Sequence, residues 1–298
     1  MDLNQAQLDA LVAIAGAGSF EAAARALRVT PSAVSQRIRA LEAAAGQVLV
    51  TRGAPCRPTA AGERLVRLGR HTRLLHDEAA RELGDPGPVD LPVAVNADSL
   101  ATWFLGVLAD AATWPATSLR LHVEDQAHSQ ERLRRGEALA AVTDDPVPVQ
   151  GCAAEPLGAL RYVPAAAPSL VARYRQGGAL DWARLPMLVF NDKDGLQDQA
   201  LARLGVPARP PVVHQVPATA DFLAAVRLGL GWGMLPDLQA APDLAAGRLE
   251  RLPADIAYVP LHWQHWRLES ARLARLTAAV HAAARAHLVP ARPGAVTA

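Results

Sequence analysis

Thr30-Pro31-Ser32-Ala33-Val34-Ser35-Gln36-Arg37-Ile38-Arg39-Ala40-Leu41-Glu42 reads as a helix from its first residue. The Thr hydroxyl can accept one of the backbone N–H groups that a helix start leaves without a partner, and Pro at the first helical position gives up only a donor that had none. Val34, Ile38 and Leu41, at spacings of four and three, form one apolar stripe. Ser32, Gln36 and Arg39 project from the other side, with Ser35 at its edge and Arg37 flanking it. Gln and Arg can each make paired hydrogen bonds to base edges in a major groove, and short Ser side chains let a helix come close. Taken alone, the pattern fits an ordinary amphipathic surface helix equally well, so its neighbours decide.

Upstream, Leu8, Leu11, Val12 and Ala15 repeat at helical spacing and stop at Gly16-Ala17-Gly18. Ser19 can cap a second helix, whose Phe20, Ala23, Ala24 and Leu27 make another apolar stripe. Arg28-Val29 is then a very short connection to Thr30. Two short helices joined this tightly, the second showing Ser, Gln and Arg outward, are the helix-turn-helix pattern, in which the second helix lies in the major groove. Downstream, Gln47-Val48-Leu49-Val50 and Cys56-Arg57-Pro58-Thr59 flank Thr51-Arg52-Gly53-Ala54-Pro55. This β-rich segment reads as a wing whose Arg52 and Arg57 sit against phosphates or the minor groove. The candidate DNA contacts are therefore Thr30, Pro31, Ser32, Ser35, Gln36, Arg37, Arg39, Arg52, Arg57 and Thr59. From Thr59 to about Leu83, Ala61, Leu65, Leu68, Thr72, Leu75 and Ala79 alternate at spacings of four and three and run into the breaker cluster Asp85-Pro86-Gly87-Pro88. A helix packed on its own domain would show a similar stripe. The length and the breaker favour a dimerisation helix between domains, in contact through Leu65, Leu68, Thr72, Leu75 and Ala79.

Residues 1–84 resemble the winged helix-turn-helix and linker helix of LysR-type transcriptional regulators. The resemblance is carried by Gly18-Ser19-Phe20, Ala22-Ala23-Ala24, Leu27, the run from Thr30 to Gln36, Ile38, Leu41-Glu42, Gly46 and Pro58-Thr59-Ala60-Ala61-Gly62. Val48 stands where the family usually has an aromatic. The resemblance implies a dimer, or a dimer of dimers, on double-stranded promoter DNA, working with RNA polymerase.

Composition agrees with such a chain. Its 298 residues, 51% hydrophobic and 20% charged, suffice for two globular domains. No apolar run approaches the roughly 18 residues of a membrane span. No secretory signal is visible, so a cytoplasmic, nucleoid-associated protein with no membrane partner is expected. Residues 1–84 hold eleven Arg, no Lys and eight acids, a charge of +3, which leaves nineteen basic and twenty-one acidic residues, a charge of −2, for the remainder. That asymmetry permits a nucleic-acid partner for the front and a cationic ligand for the back. Cys56 and Cys152 are far apart without metal-type spacing, so reduced thiols and no metal or cofactor are expected.

Past Leu91, strands alternate with helices. Leu91–Val95, Leu119–Val123 and Ala138–Thr143 read as strands, the second ending at Glu124-Asp125 and the third at Asp144-Asp145. Met187–Phe190, Val212–Val216 and Trp232–Leu235 repeat the alternation, residues 257–266 form a strand returning to the first lobe, and Leu268–His287 a closing helix. Such alternation implies a parallel α/β sheet with ligands at the strands' carboxyl ends. Two lobes and a crossing strand make a bilobal cleft of the periplasmic-binding-protein kind, which closes around a small molecule by hinge motion. The fold class is thus α/β, with an N-terminal winged helix-turn-helix joined to that bilobal domain by a long linker helix. The division expected is 1–58 for DNA binding, 59–84 for the linker helix, 85–89 for a hinge, 90–163 plus 262–289 for one lobe, 164–261 for the other, and 290–298 for a tail.

This half resembles the lysine-export and arginine-responsive branch of the family, the LysG/ArgP type. The carrying residues are Val95 to Trp103, Val123-Glu124-Asp125, Gln130 to Glu137, Leu157-Gly158 with Tyr162, and Gly229 to Met234. The resemblance implies sensing of lysine or arginine and activation of an amino-acid exporter gene. A basic amino acid needs donors for its α-carboxylate and carboxylates for its cations, because a desolvated charge is costly unless paired. The helix beginning near Asp98 offers N-terminal amides with the hydroxyls of Ser99 and Thr102 nearby. Asp125, Asp144, Asp192 and Asp221 follow strands, although an Asp there is often only a helix cap, and Trp103 or Trp232 can cover the aliphatic stem. Asp125 is the leading candidate and Ser99 the next; Asn96, Ala97, Asp98, Glu124, Thr143, Thr219 and Gly233 complete the set.

No P-loop, GxSxG or HExxH motif is present, and His262 and His265 fall on opposite faces of a strand, so no catalytic residue is assigned and an enzyme is not expected. Two readings stand: a ligand-responsive transcriptional regulator, and an architectural or origin-binding DNA protein with a vestigial cleft.

Overall fold

The computed structural model describes residues 3–84, 87–123 and 126–290, without the side chains of 126–129. Helix α1, Gln5–Ala17, opens where Asn4 Oδ1 accepts the Ala6 N–H at 2.8 Å and stops at left-handed Gly18. Ser19 opens α2, Phe20–Leu27, by accepting the Ala22 N–H at 3.1 Å. Thr30 opens α3, Pro31–Ala45, by accepting the Ala33 N–H at 3.1 Å, with Pro31 at the first helical turn. Their apolar stripes meet in one core of Leu8, Leu11, Ile14, Ala23, Ala24, Val34, Ile38 and Leu41. The wing is shorter than the sequence suggests: β1, Val50–Thr51, pairs with β2, Arg57–Pro58, over two residues each. Pro58 has no N–H to extend the ladder, and the N–H groups of Leu49 and Val50 turn instead to Glu42 Oε1 at 2.9 and 3.4 Å.

Helix α4, Ala60–Glu82, leaves the wing and crosses to the second half of the chain. It buries Gly62, Val66, Gly69 and Leu74. A Cβ at Gly62 would lie 2.0 Å from the Leu49 carbonyl oxygen, and one at Gly69 would lie 3.0 Å from a Val12 methyl, so these glycines set the close approach to the wing and to α1. The six-residue seam read from the sequence divides here. Ala61 and Leu65 pack into the N-terminal core, whereas Leu68, Leu75 and Ala79 are exposed. Thr72 is half-buried and its hydroxyl donates to the Leu68 carbonyl at 3.0 Å.

The second half is built on a sheet in the order β11-β6-β13-β5-β3-β4. Strands β3 (Val89–Val95), β4 (Thr117–Val123) and β5 (Ala140–Thr143) are parallel. Strand β6 (Cys152–Ala166) and strand β13 (Ala257–Trp266) run antiparallel to each other, and β13 antiparallel to β5. At its far end β6 carries β11 (Gly233–Pro236) and β12 (Glu250–Arg251). A small hairpin, β7 (Arg175–Gln176) with β8 (Ala179–Leu180), follows β6. Strands β9 (Met187–Val189) and β10 (Val213–Gln215) are parallel, and β9 touches the main sheet through the Met187–Trp232 bridge. The sheet is therefore mixed rather than parallel, and two strands cross between the lobes where the sequence suggested one. Pro156, Gly158 and Pro164 disguise β6; Pro156 sits where the β13 register shifts, between Leu261 and His262, and there a missing N–H costs least.

Helices cover both faces: α5 (Ala97–Ala101), α6 (Leu105–Ala111), α7 (Gln126–Arg134), α8 (Pro168–Tyr174), α9 (Leu196–Arg203), α10 (Thr219–Arg227), α11 (Asp237–Ala245) and α12 (Ala271–His287). The single helix read through Asp98 and Leu108 is two, divided by a turn at Thr102–Phe104. That turn drops Trp103 and Phe104 into the core, where they are 1% and 0% exposed.

Candidate functional site

Between the two lobes, at the carboxyl ends of β3, β5 and β9, lies a cleft of about 1050 Å³. Ligands bind at that end of α/β sheets because the turns there carry polar groups and helix starts. Among the described residues four carboxylates line it, those of Asp98, Asp144, Asp145 and Asp194, beside one ammonium, that of Lys193. Asp98 sits on α5, and its carboxylate accepts the Tyr162 hydroxyl of β6 at 2.7 Å and the Thr219 hydroxyl of α10 at 3.2 Å. One side chain thus ties both lobes together. Burial raises the Asp98 pKa above its ordinary range, the two hydroxyls oppose that, and the Asp194 charge adds to it. Burial, then the neighbouring Asp98, pushes the Tyr162 hydroxyl well above its usual 10.

Asp194 lies in the turn after β9 and accepts the N–H groups of Phe190 and Leu196 at 2.8 and 3.3 Å and the Gln197 amide at 3.1 Å. Burial still leaves it raised, as it does Asp144. Asp145 Oδ2 accepts the Gln130 amide of α7 at 2.7 Å, and its Oδ1 accepts the Val147 N–H at 2.8 Å. Phe190, Phe222, Met234 and Val259 supply apolar wall. The starts of α5 and α10, which lack side-chain caps, contribute Asn96, Ala97, Ala218 and Thr219. Desolvated carboxylates with raised pKa values favour a cation, since pairing recovers what burial costs each of them.

Of the residues singled out in the sequence, Asn96, Ala97, Asp98, Asp144 and Thr219 line this cleft. Glu124 and Asp125 lie outside the described residues. Ser99 is fully buried behind the wall, and the Thr102 hydroxyl is turned to the Asp98 carbonyl at 2.5 Å, so neither presents a donor to the cleft. Thr143 is buried, its hydroxyl accepting the Asp145 N–H at 3.1 Å. Trp103 and Trp232 are core residues, packed edge-on against Phe104 at 5.6 Å and Trp182 at 5.1 Å. Gly233 lies beneath the Phe222 ring, where a Cβ would come within 2.7 Å. Asp192 and Asp221 are exposed and form no part of the wall. Asp145, Asp194, Gln130 and the two phenylalanines were missed. Asp145 and Asp194 stand in the same strand-end turns as Asp144 and Asp192, and only the hydrogen bonds of those turns choose between neighbours.

On the N-terminal domain, Thr30, Pro31, Ser32, Gln36 and Arg39 are exposed along α3, and Ser35 and Arg37 are half-buried. Arg52 and Arg57 are exposed on the wing, the Arg52 guanidinium 5.8 Å from the Phe20 ring centroid. The Thr59 hydroxyl is engaged internally: it donates to the Val48 carbonyl at 2.8 Å and accepts the Gly62 N–H at 3.1 Å, capping α4. Among the described residues no helix is long and apolar enough to cross a membrane.

Comparison with known proteins follows this division. Residues 5–63 match the bacterial regulatory helix-turn-helix protein model of the lysR family, and residues 90–289 match the LysR substrate binding domain. The lysine export transcriptional regulatory protein LysG of Corynebacterium efficiens is 50% identical over 288 residues, covering 96% of this chain and 99% of its own. Full-length LysG from Corynebacterium glutamicum, solved with bound effector Arg, is 46% identical with a TM-score of 0.81, covering 97% of this chain and all of its own. ArgP from Mycobacterium tuberculosis is 45% identical with a TM-score of 0.88, covering 98% of this chain and all of its own.

Proposed function

The chain belongs to the LysR family of bacterial transcriptional regulators, in the branch of LysG and ArgP, and from that premise we propose that its cleft senses lysine or arginine and thereby sets transcription of an amino-acid exporter gene, by activation. The observation that carries this reading is the set of Asp98, Asp144, Asp145 and Asp194 around one cleft, with Lys193 alone to offset them among the described residues. A ligand with two cationic groups and one carboxylate offsets that imbalance; a neutral or acidic one does not. The α-carboxylate is held near Asn96 against the start of α10 at Thr219, which has no side-chain cap and whose first N–H groups favour an anion. The cations meet the four aspartates, and Phe190 and Phe222 cover the aliphatic stem. The C. glutamicum relative, solved with bound effector Arg, supports the ligand class.

At the other end, α3 enters a major groove with Ser32, Gln36 and Arg39 toward the bases, and Arg52 and Arg57 hold the backbone. The exposed face of α4 joins two copies, pairs of dimers form tetramers, and RNA polymerase is met at the promoter. A thermal-shift panel tests the sensing reading. Lysine or arginine at about 100 times its Kd raises stability by about 2.7 kcal/mol, and glutamate and leucine leave it unchanged. An unmoved transition with both basic amino acids, confirmed by calorimetry, refutes it.

A further inference from the structure

Helix α4 is docked onto its own effector half as well as onto the DNA-binding half, and the docking surface leads back to the cleft. The Arg67 guanidinium donates to the Arg134 carbonyl at 3.0 Å, and that of Arg70 to the Arg135 carbonyl at 2.8 Å. These carbonyls close the C-terminus of α7, where the helix leaves acceptors without partners and cations are favoured. Gly136 then turns with φ +64° directly under Arg67, and a Cβ there would lie 3.0 Å from the Arg67 Cα. At the next level, Arg67 covers the Trp266 ring at 5.2 Å and the His71 ring packs on it at 4.5 Å. Further along, Glu78 Oε1 accepts the Ser270 hydroxyl at 2.6 Å and the Arg272 N–H at 3.2 Å at the start of α12.

Two paths run from this seam to Asp145. Along α7, the Arg134 guanidinium donates to Gln130 Oε1 at 2.9 Å, and the Gln130 amide donates to Asp145 Oδ2 at 2.7 Å. Gln130 is 8% exposed and lines the cleft, so the path starts at a ligand-facing group. Along β13, Gln264 donates to the carbonyls of Asp145 and Val147 at 3.0 and 2.9 Å and accepts the Val149 N–H at 3.1 Å. Gln264 stands two residues before Trp266 in that strand, on the same face of the sheet.

We propose that the turn closing α7, residues 134–136, is a signalling latch: Gln130 reads the state of the Asp145 carboxylate in the cleft, and Arg67 and Arg70 convey it to α4 and so to the DNA-binding domain. The proposal rests on the basic-amino-acid reading of the cleft. Gln130 holds Asp145 through its amide. A ligand cation that takes Asp145 competes with that amide, releases α7, and loosens the grip of the two arginines. Arg67 and Arg70 act as positioning residues, since neither borders the cleft, whereas Gln130 lines it. Coupling is reciprocal: if ligand loosens the latch, breaking the latch tightens ligand.

Hydrogen–deuterium exchange on the full chain, read at residues 67–78 and 140–146, tests this. Without ligand, Gln130→Ala exchanges several-fold faster than wild type at 67–78; unchanged exchange there overturns the latch whatever the ligand. With arginine, wild type is protected at 140–146 and exchanges faster at 67–78. Arg67→Ala/Arg70→Ala, whose changes lie outside the cleft, exchanges fast at 67–78 with or without arginine and binds arginine about fivefold or more tightly than wild type. Protection at 140–146 with no change at 67–78, or equal arginine affinity of the double variant, overturns signalling through the latch. If no arginine or lysine heat and no protection at 140–146 appear, the sensing reading fails and the ligand-driven step with it, while the ligand-free Gln130→Ala comparison still decides whether the latch exists.

Discussion

Asp98 keeps its carboxylate between the hydroxyls of Tyr162 and Thr219, and burial still raises its pKa above the ordinary 3.8 of an aspartate. A carboxyl that holds its proton more tightly in the folded chain than in the unfolded one stabilises the fold below pH 3.8, and that contribution is lost as pH rises through the folded value. At neutral pH the unpaired charge therefore costs stability. Asp98→Asn removes the charge, keeps one oxygen to accept a hydroxyl, and offers its amide N–H to the oxygen of the other hydroxyl, which then accepts instead of donating; it should therefore raise the melting temperature of the ligand-free protein. The same change should lower arginine affinity by about thirtyfold or more, since losing one partner of a desolvated charge pair costs about 2 to 5 kcal/mol. A lowered melting temperature, or an unchanged Kd by calorimetry, would refute this account of Asp98. Asp144 and Asp194 are raised for the same reason, so arginine affinity should begin to fall with acidification above the pH at which an exposed carboxylate titrates. On the DNA side, Gln36→Ala should relax preference at one base position at a cost of about 1 to 3 kcal/mol, whereas Arg52→Ala should weaken all sequences alike and flatten the salt dependence. Binding to operator and random duplexes across a salt series separates the two, and equal losses on both for Gln36→Ala remove it as a base reader.

The helices of the N-terminal domain were legible because each carries its own boundary marks. Asn4, Ser19, Thr30 and Thr59 all accept a backbone N–H at the helix start, and Gly18 and Gly46 take the left-handed ends. The wing was legible in place but not in length, because Glu42 takes N–H groups that a longer ladder would have used. Strand β6 was illegible, since two prolines and a glycine read as a loop until its long partner β13 is present. In the cleft, strand-end acids were found as a class, while the choice between Asp144 and Asp145, or Asp192 and Asp194, depends on turn hydrogen bonds. Ser99, Trp103 and Trp232 face the core rather than the cleft, because a contiguous motif does not show which way a short helix, the turn after it or a bridge residue before a strand points. The tightest contact between elements is testable directly. A methyl at Gly62 meets the Leu49 carbonyl oxygen at 2.0 Å, a backbone atom that cannot swing aside. Gly62→Ala should cost about 1 to 3 kcal/mol by forcing α4 off the wing. Chemical denaturation followed by circular dichroism measures it, and a change under about 0.5 kcal/mol, the range of an ordinary surface substitution, would mean the backbone yields freely.

At the scale of the molecule, α4 divides its circumference between two tasks. Gly62, Val66, Gly69 and Leu74 are spent on contacts within the chain, and Arg67, Arg70 and His71 meet the effector half. Leu68 and Leu75 remain 38% and 39% exposed on the other side, one heptad apart, with Thr72 and Ala79 in the same rows. A second copy of α4 packed there would bury leucines this chain leaves in water and would set two α3 helices for successive major grooves, about one helical turn apart. Leu68→Glu with Leu75→Glu places charges on that face without entering either core. The double variant should keep the melting temperature of the unpaired chain but elute as a monomer, with its mass fixed by light scattering. On an operator with two half-sites it should lose about a hundredfold or more in affinity, because the second half-site no longer benefits from tethering to the first. On a single half-site the loss should be small, since α3 and the wing are untouched. A variant that stays dimeric, or that loses affinity equally on one and two half-sites, would move the dimer contact off α4 and onto another face.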